Sequence, residues 1–185
     1  AKEVAIYRAH KASPVVIATD GQARFASALH VLPVPPTHPA LAFVLSAMAG
    51  HLFGYEAALA IDALARPLRE ARAAIEAAVG GDRPGALVRR DGETVLRRLR
   101  TDLQPVTRRY SDGLRVGSYD GQLEASTAVR LTQLFRYVLG VVPLAAYQID
   151  EGKVGTPAVI VDDLTSALTL AIEELTRPVD AIKHQ

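Results

Sequence analysis

The feature that most limits what this chain can fold into is residues 37–63, THPALAFVLSAMAGHLFGYEAALAIDA. From Ala40 to Tyr55 it holds no Asp, Glu, Lys or Arg. Thr37 is suited to cap a helix, and Pro39 fits a first helical turn, so the spacing predicts a helix over about 38–63. A membrane-spanning helix needs roughly 20 apolar residues, and the charge-free run falls short of that. It also lacks Lys/Arg flanks and aromatic belts. The expectation is no membrane span, but a helix buried on most sides beside a sheet. Gly50 and Gly54, four residues apart, then allow a neighbouring element to approach its backbone closely.

The elements before this helix read as its partners. AKEVAIYRAHK reads as a short helix end, and SPVVIAT is a β-branched run of buried-strand type. ALHVLPVPP reads as a second strand, closed by Pro33, Pro35 and Pro36. After the long helix, ARPLREARAAIEAAVGG places Leu68, Ala71, Ile75 and Val79 on one helical stripe. The strongest break is Gly80–Gly85, where a domain boundary is expected.

The second half reads less clearly. Asp91-Gly92 is open between a hairpin turn and a helix start. DGLRVGSYDG, PLAAYQID and TPAVIVDD read as strands. QLEASTAVRLTQLFRYVLG reads as a helix ending at Gly140, with Leu123, Val129, Leu131, Leu134, Phe135 and Val138 on its apolar side. LTSALTLAIEELTR reads as a last helix capped by Asp162 or Asp163 and ended by Pro178. Strands alternating with helices give an α/β or α+β architecture in both halves.

Several chemistries are excluded. With no cysteine among 185 residues, there is no disulfide, zinc-thiolate site or cysteine nucleophile. That composition fits a cytoplasmic protein. Net charge is +1, which gives no overall attraction to nucleic acid or anionic membrane. No dinucleotide loop, Walker loop or nucleophile elbow is present. The histidines, His10, His30, His38, His51 and His184, are never i,i+4 to one another, so metal-ligand spacing is absent. No metal and no cofactor are expected. His51 and Glu56, five apart, point well away from each other around a helix. Asp162-Asp163 reads first as a cap. Ser126 and Thr127, at the start of a helix, form a candidate anion site, though a solvated cap explains them more simply. Arg89, Arg90, Arg97, Arg98, Arg100, Arg108 and Arg109 raise a nucleic-acid reading. They lack a reading motif, so a salt-bridged face or a patch for a phosphorylated ligand or an acidic partner is favoured.

YRAHKASPVVIATDGQARF followed by LHVLPVPPTHPALAFVLSAMAGHLFGYEAALAIDA resembles the last part of a sugar isomerase (SIS) domain. The likeness is to the C-terminal isomerase half of glutamine–fructose-6-phosphate aminotransferases, the glucosamine-6-phosphate synthase family. It covers residues 1–66. What it implies is an α/β fold: a partial SIS-type three-layer sandwich over 1–81, an additional small α/β or α+β domain over 82–176, and the start of a family-like tail at 177–185. In the family the long helix is a packing and dimer-contact element. RPVDAIKHQ resembles the start of the family tail, and one register sets Lys183 on the lysine that takes part in sugar ring opening. The family's phosphate-binding Ser/Thr loop and its catalytic Glu and His have no match here. The resemblance therefore implies a fragment, inactive alone, of a protein that binds or isomerises a hexose 6-phosphate for amino sugar synthesis. Its expected partners are a sugar phosphate, the rest of a parent chain and a second copy in a homodimer, without nucleic acid or membrane. The alternatives are a non-catalytic sugar-phosphate-binding regulatory module and an oligomerisation domain.

Overall fold

The computed structural model describes residues 1–80 and 92–176. Helices make up 72% of them, and the strands are two, paired in parallel. This corrects the expected three-layer sandwich with a second α/β domain: the chain is helix-dominated. Two compact units form, Ala1–Ala60 and Ile61–Gln185. The boundary expected at 81/82 and the tail at 177–185 lie outside the described residues.

In the first unit, α1 (Lys2–Ala9) leads into β1 (Val15–Thr19). A turn of 3-10 helix, Ala23–Phe25, precedes β2 (His30–Val34). The two strands pair from Val15 opposite His30 to Thr19 opposite Val34. Pro33 costs β2 one donor, which an outermost strand tolerates. A second 3-10 turn, Pro39–Leu41, opens the long helix. His38, not Thr37, caps that turn: its Nδ1 accepts a hydrogen bond from the Ala40 amide at 3.2 Å.

Helix α2 (Ala42–Val79) is one continuous element of 38 residues, where two were expected. It passes through Pro67, which removes one backbone bond. Asp62, one turn before that proline, pairs with Arg66 and Arg69, so side chains brace the turn that the backbone leaves weaker. The unit boundary falls within this helix.

The second unit holds the core. From α2, Ala65, Leu68, Ala71, Ile75 and Ala78 are buried, a spacing of three and four residues that lines one helical face. Helix α3 (Gly92–Arg115) buries Val95, Leu96, Leu99, Leu103, Val106 and Tyr110, again on one stripe. The Asp91-Gly92 ambiguity thus resolves as a helix start. Helix α4 (Ala125–Val138) buries Leu131, Leu134, Phe135 and Val138 as expected, but Val129 is 58% exposed and Leu123 precedes the helix, while Thr127 and Tyr137 are buried instead; Gly140 follows at φ +73°.

All three strands expected in this half are absent. DGLRVGSYDG is the end of α3 and a run of turns; PLAAYQID is a 3-10 turn and the short helix α5 (Tyr147–Glu151). TPAVIVDD opens α6 (Pro157–Thr176). A short β-branched run has no period that separates a strand from a buried helix. Here the decision lies at its start: Thr156 Oγ1 accepts from the Val159 amide at 3.3 Å, and Pro157 sits in the first turn, where it needs no donor. The cap is therefore Thr156, and neither Asp162 nor Asp163.

Candidate functional site

The first unit has almost no interior. Among residues 1–60, Ala18 alone is buried. The expectation that α2 would be buried on most sides is not met: Leu52 is 65% exposed and Tyr55 62%. The helix touches β1 at one point: a Cβ placed at Gly50 would lie 3.7 Å from Ile17 Cδ1, whereas one at Gly54 would have nothing within 4 Å, and Phe43, on the Gly50 side, is 71% exposed. On the opposite side stand Leu41, Leu45, Met48, Leu52, Tyr55 and Leu59. Their spacing is 4, 3, 4, 3, 4, the repeat by which one helix packs along another. Pro39–Val79 is also the one helix among the described residues long and apolar enough to cross a membrane, and its most apolar 18 residues are unburied.

The second unit gathers its polar groups between α4, α5 and α6. Asp163 accepts from Tyr147 OH at 2.6 Å and from Lys153 Nζ at 2.8 and 3.0 Å, with Arg130 Nη2 at 3.7 Å. Burial pushes the Asp163 carboxyl up, but the bonds from Lys153 and Tyr147 and the nearby cations outweigh it and hold it below its usual range. Burial, and then the bond to Asp163, raise the Tyr147 hydroxyl. Tyr137 donates to Asp150 and, chiefly through that bond, is pushed up to about 12. The Tyr137 and Tyr147 rings meet edge to face at 4.9 Å. This network pins the α5 segment to α4 and α6. Arg130 also lines a hollow of about 330 Å³ with Ser126, Thr127, Ser166, Ala167 and Leu170, while the hydrogen bonds to Asp163 and Asp150 are internal to the fold and read as structural.

The residues singled out in the sequence disperse. Lys183 lies outside the described residues. His51 and Glu56 are both exposed on α2 and share no site. No cluster of three or more metal-ligating side chains occurs among the described residues. The candidate anion site at Ser126 and Thr127 is already occupied by the chain itself. Glu174 accepts from the Glu124 amide at 2.9 Å and from Thr127 Oγ1 at 2.8 Å, placing a carboxylate at the N-terminus of α4. Two of the described arginines form ion pairs, Arg98 with Asp102 at 3.6 Å and Arg109 with Glu70; Arg97 donates to Thr94 Oγ1 at 3.3 Å, and Arg108 is in none of the ion pairs among the described residues. Arg100 donates to the Val138 carbonyl at 3.4 Å. Arg89 and Arg90 fall outside the described residues.

Comparison with family models, curated proteins and solved structures finds no match for this chain.

Proposed function

We propose that this chain is the assembly scaffold of an SIS-like protein acting on a hexose 6-phosphate, and that it forms a homodimer through the outer face of α2. The observation that carries the reading is the 4, 3, 4, 3, 4 stripe from Leu41 to Leu59, exposed except for the half-buried Leu45 and opposite Gly50, where the helix meets β1. An apolar stripe without charges selects a like stripe, because no ion pair directs it to a charged partner. At the exposures observed it offers on the order of 600 Å² per copy, the low end for a specific interface. The order of strand, short connection, parallel strand and long helix is what the resemblance was drawn on, and on that reading the hexose-phosphate site lies in other parts of the parent protein. Further strands of a parent protein would then pair with the open sheet edges. Lys183 remains the group nominated for ring opening.

Light scattering over a range of concentrations tests the assembly. A dimer that Leu52→Glu converts to monomer, with unchanged helicity, is expected. A monomer at all concentrations, or a chain that partitions into neutral phospholipid vesicles until Leu52→Glu abolishes it, overturns the dimer. Melting with fructose 6-phosphate and glucosamine 6-phosphate tests the ligand: a bound ligand raises Tm through RT ln(1 + [L]/Kd). No shift with either sugar phosphate in the intact dimer overturns the hexose-phosphate part and leaves the assembly role.

A further inference from the structure

Within the second unit, a groove of about 600 Å³ opens between the C-terminal end of α3, the following loop and α4. Its size is that of a small-molecule site. The floor is rigid. Tyr119 is buried and stacks on Tyr110 at 5.4 Å, and Tyr110 meets Phe135 at 5.8 Å. Gly113 makes this possible, since a Cβ there would lie 2.7 Å from the Tyr119 ring. Tyr110 OH also donates to the Ala128 carbonyl at 3.3 Å, tying the floor to the α4 wall. The loop is held by backbone bonds from Ser118 to Gly113 at 2.9 Å and from Leu123 to Tyr119 at 3.0 Å.

The wall contributed by α4 is ordered by polarity. Ala125, Ala128, Val129, Thr132, Gln133 and Arg136 line it at intervals of 3, 1, 3, 1 and 3, which is one helical face. The first three are apolar and the last three polar. Leu114 and Leu123 extend the apolar part, and Val129 is 58% exposed there. From Ala125 to Arg136 the wall runs about 16 Å. Arg136 has no ion pair among the described residues. The carboxylate in the lining, Asp120, belongs to the loop that leads into the other end of α4. Charge therefore fixes a direction: an anion at Arg136 and an uncharged body along the alanines and Val129.

We propose that this groove binds an amphiphile with one carboxylate head, of the class of medium-chain fatty carboxylates. The head pairs with Arg136 and takes a hydrogen bond from the Gln133 amide, while the Thr132 hydroxyl stays donated to the Ala128 carbonyl at 2.8 Å, and the chain lies over Tyr119, Leu123 and Val129. A hexose phosphate does not suit the groove, because its ring hydroxyls would face Leu123, Ala125 and Val129 without partners. This site is independent of the α2 stripe.

The test is calorimetric titration of the full chain with decanoate, decanol and decyltrimethylammonium, each below its micelle-forming concentration. Decanoate is expected to saturate one site per chain. Arg136→Gln and the loss of charge in decanol should each weaken binding at least tenfold, and the cation should not bind. Ala128→Trp, which fills the groove, should abolish binding while melting like the parent; Arg136→Gln covers the case in which it does not fold. Leu52→Glu should leave the titration unchanged. Equal binding of all three amphiphiles, indifference to Arg136→Gln, loss of binding in Leu52→Glu, or no saturable binding overturns the proposal.

Discussion

Residues 1–60 and 61–176 contain similar kinds of apolar side chain and treat them in opposite ways. The second unit places its leucines, valines and tyrosines on helical stripes that face one another, and Leu68, Leu96, Leu99, Leu131, Leu134 and Leu164 are fully buried. The first unit holds an equally regular stripe on α2 and leaves it in solvent. The sequence periodicity is the same in kind. What differs is whether another element of the chain is present on the far side. Apolar spacing therefore specifies that a face seeks a partner; it does not specify that the partner belongs to the same chain.

The sharpest way to break this contrast is to truncate one leucine on each side. Leu99→Ala removes a fully buried side chain and should cost about 3–5 kcal/mol by leaving a cavity. Leu52→Ala should stay within about 0.5 kcal/mol when unfolding is measured at concentrations where the chain is monomeric. Equal losses in denaturant melts would mean that the α2 stripe is buried in the monomer. Next in size is Gly113→Val, which forces the Tyr119 ring aside and should destabilise by about 1–3 kcal/mol. Near-UV circular dichroism of the tyrosines should change with it.

Asp163→Ala should be comparable or slightly smaller, about 1–3 kcal/mol, because it orphans the buried Tyr147 hydroxyl. Its pH dependence has a definite sign. The folded carboxyl is held below its usual value near 3.8, so its stabilisation is complete above that value and is lost as pH falls through the lowered one. Stability should decline below about pH 4, and Asp163→Asn should flatten that decline. The raised Tyr137 works at the other end: its contribution is present below about pH 10 and fades as pH rises towards 12. The smallest effect belongs to the exposed pairs. Arg98→Ala, which removes the Asp102 contact, should change stability by less than about 1 kcal/mol, and the difference from the parent should shrink as salt is added.

Much of the helical framework was legible. Leu68, Ala71 and Ile75 and the buried side of α4 follow from spacing alone, and the β1 and β2 segments from β-branched runs between turn residues. The strand expected at 156–163 is a helix because AVIV has no period of its own, and Thr156 with Pro157 decides it as a helix start. The exposure of α2 was not legible, since hydrophobicity marks a face and not its occupant. Among candidate sites, the helix start at Ser126 and Thr127 was read first as a solvated cap and second as an anion site; the group found there is the carboxylate of Glu174, 47 residues further on from Thr127, which no local spacing announces. The Asp163 network was illegible because Tyr147, Lys153 and Arg130 meet only through packing. Arg136 stands at i+4 from Thr132, but the spacing of that polar face does not show that Leu114, Tyr119 and Leu123 close a groove beside it.

That carboxylate has a practical meaning for anyone shortening the chain. Glu174 stands in the last turn of α6, yet the backbone group it satisfies is at the head of α4. Cutting the polypeptide before residue 174 would remove more than one frayed turn. It would leave a different helix, begun 50 residues earlier, without its closing acceptor. Any shortened chain that is to keep α4 capped must therefore keep Glu174.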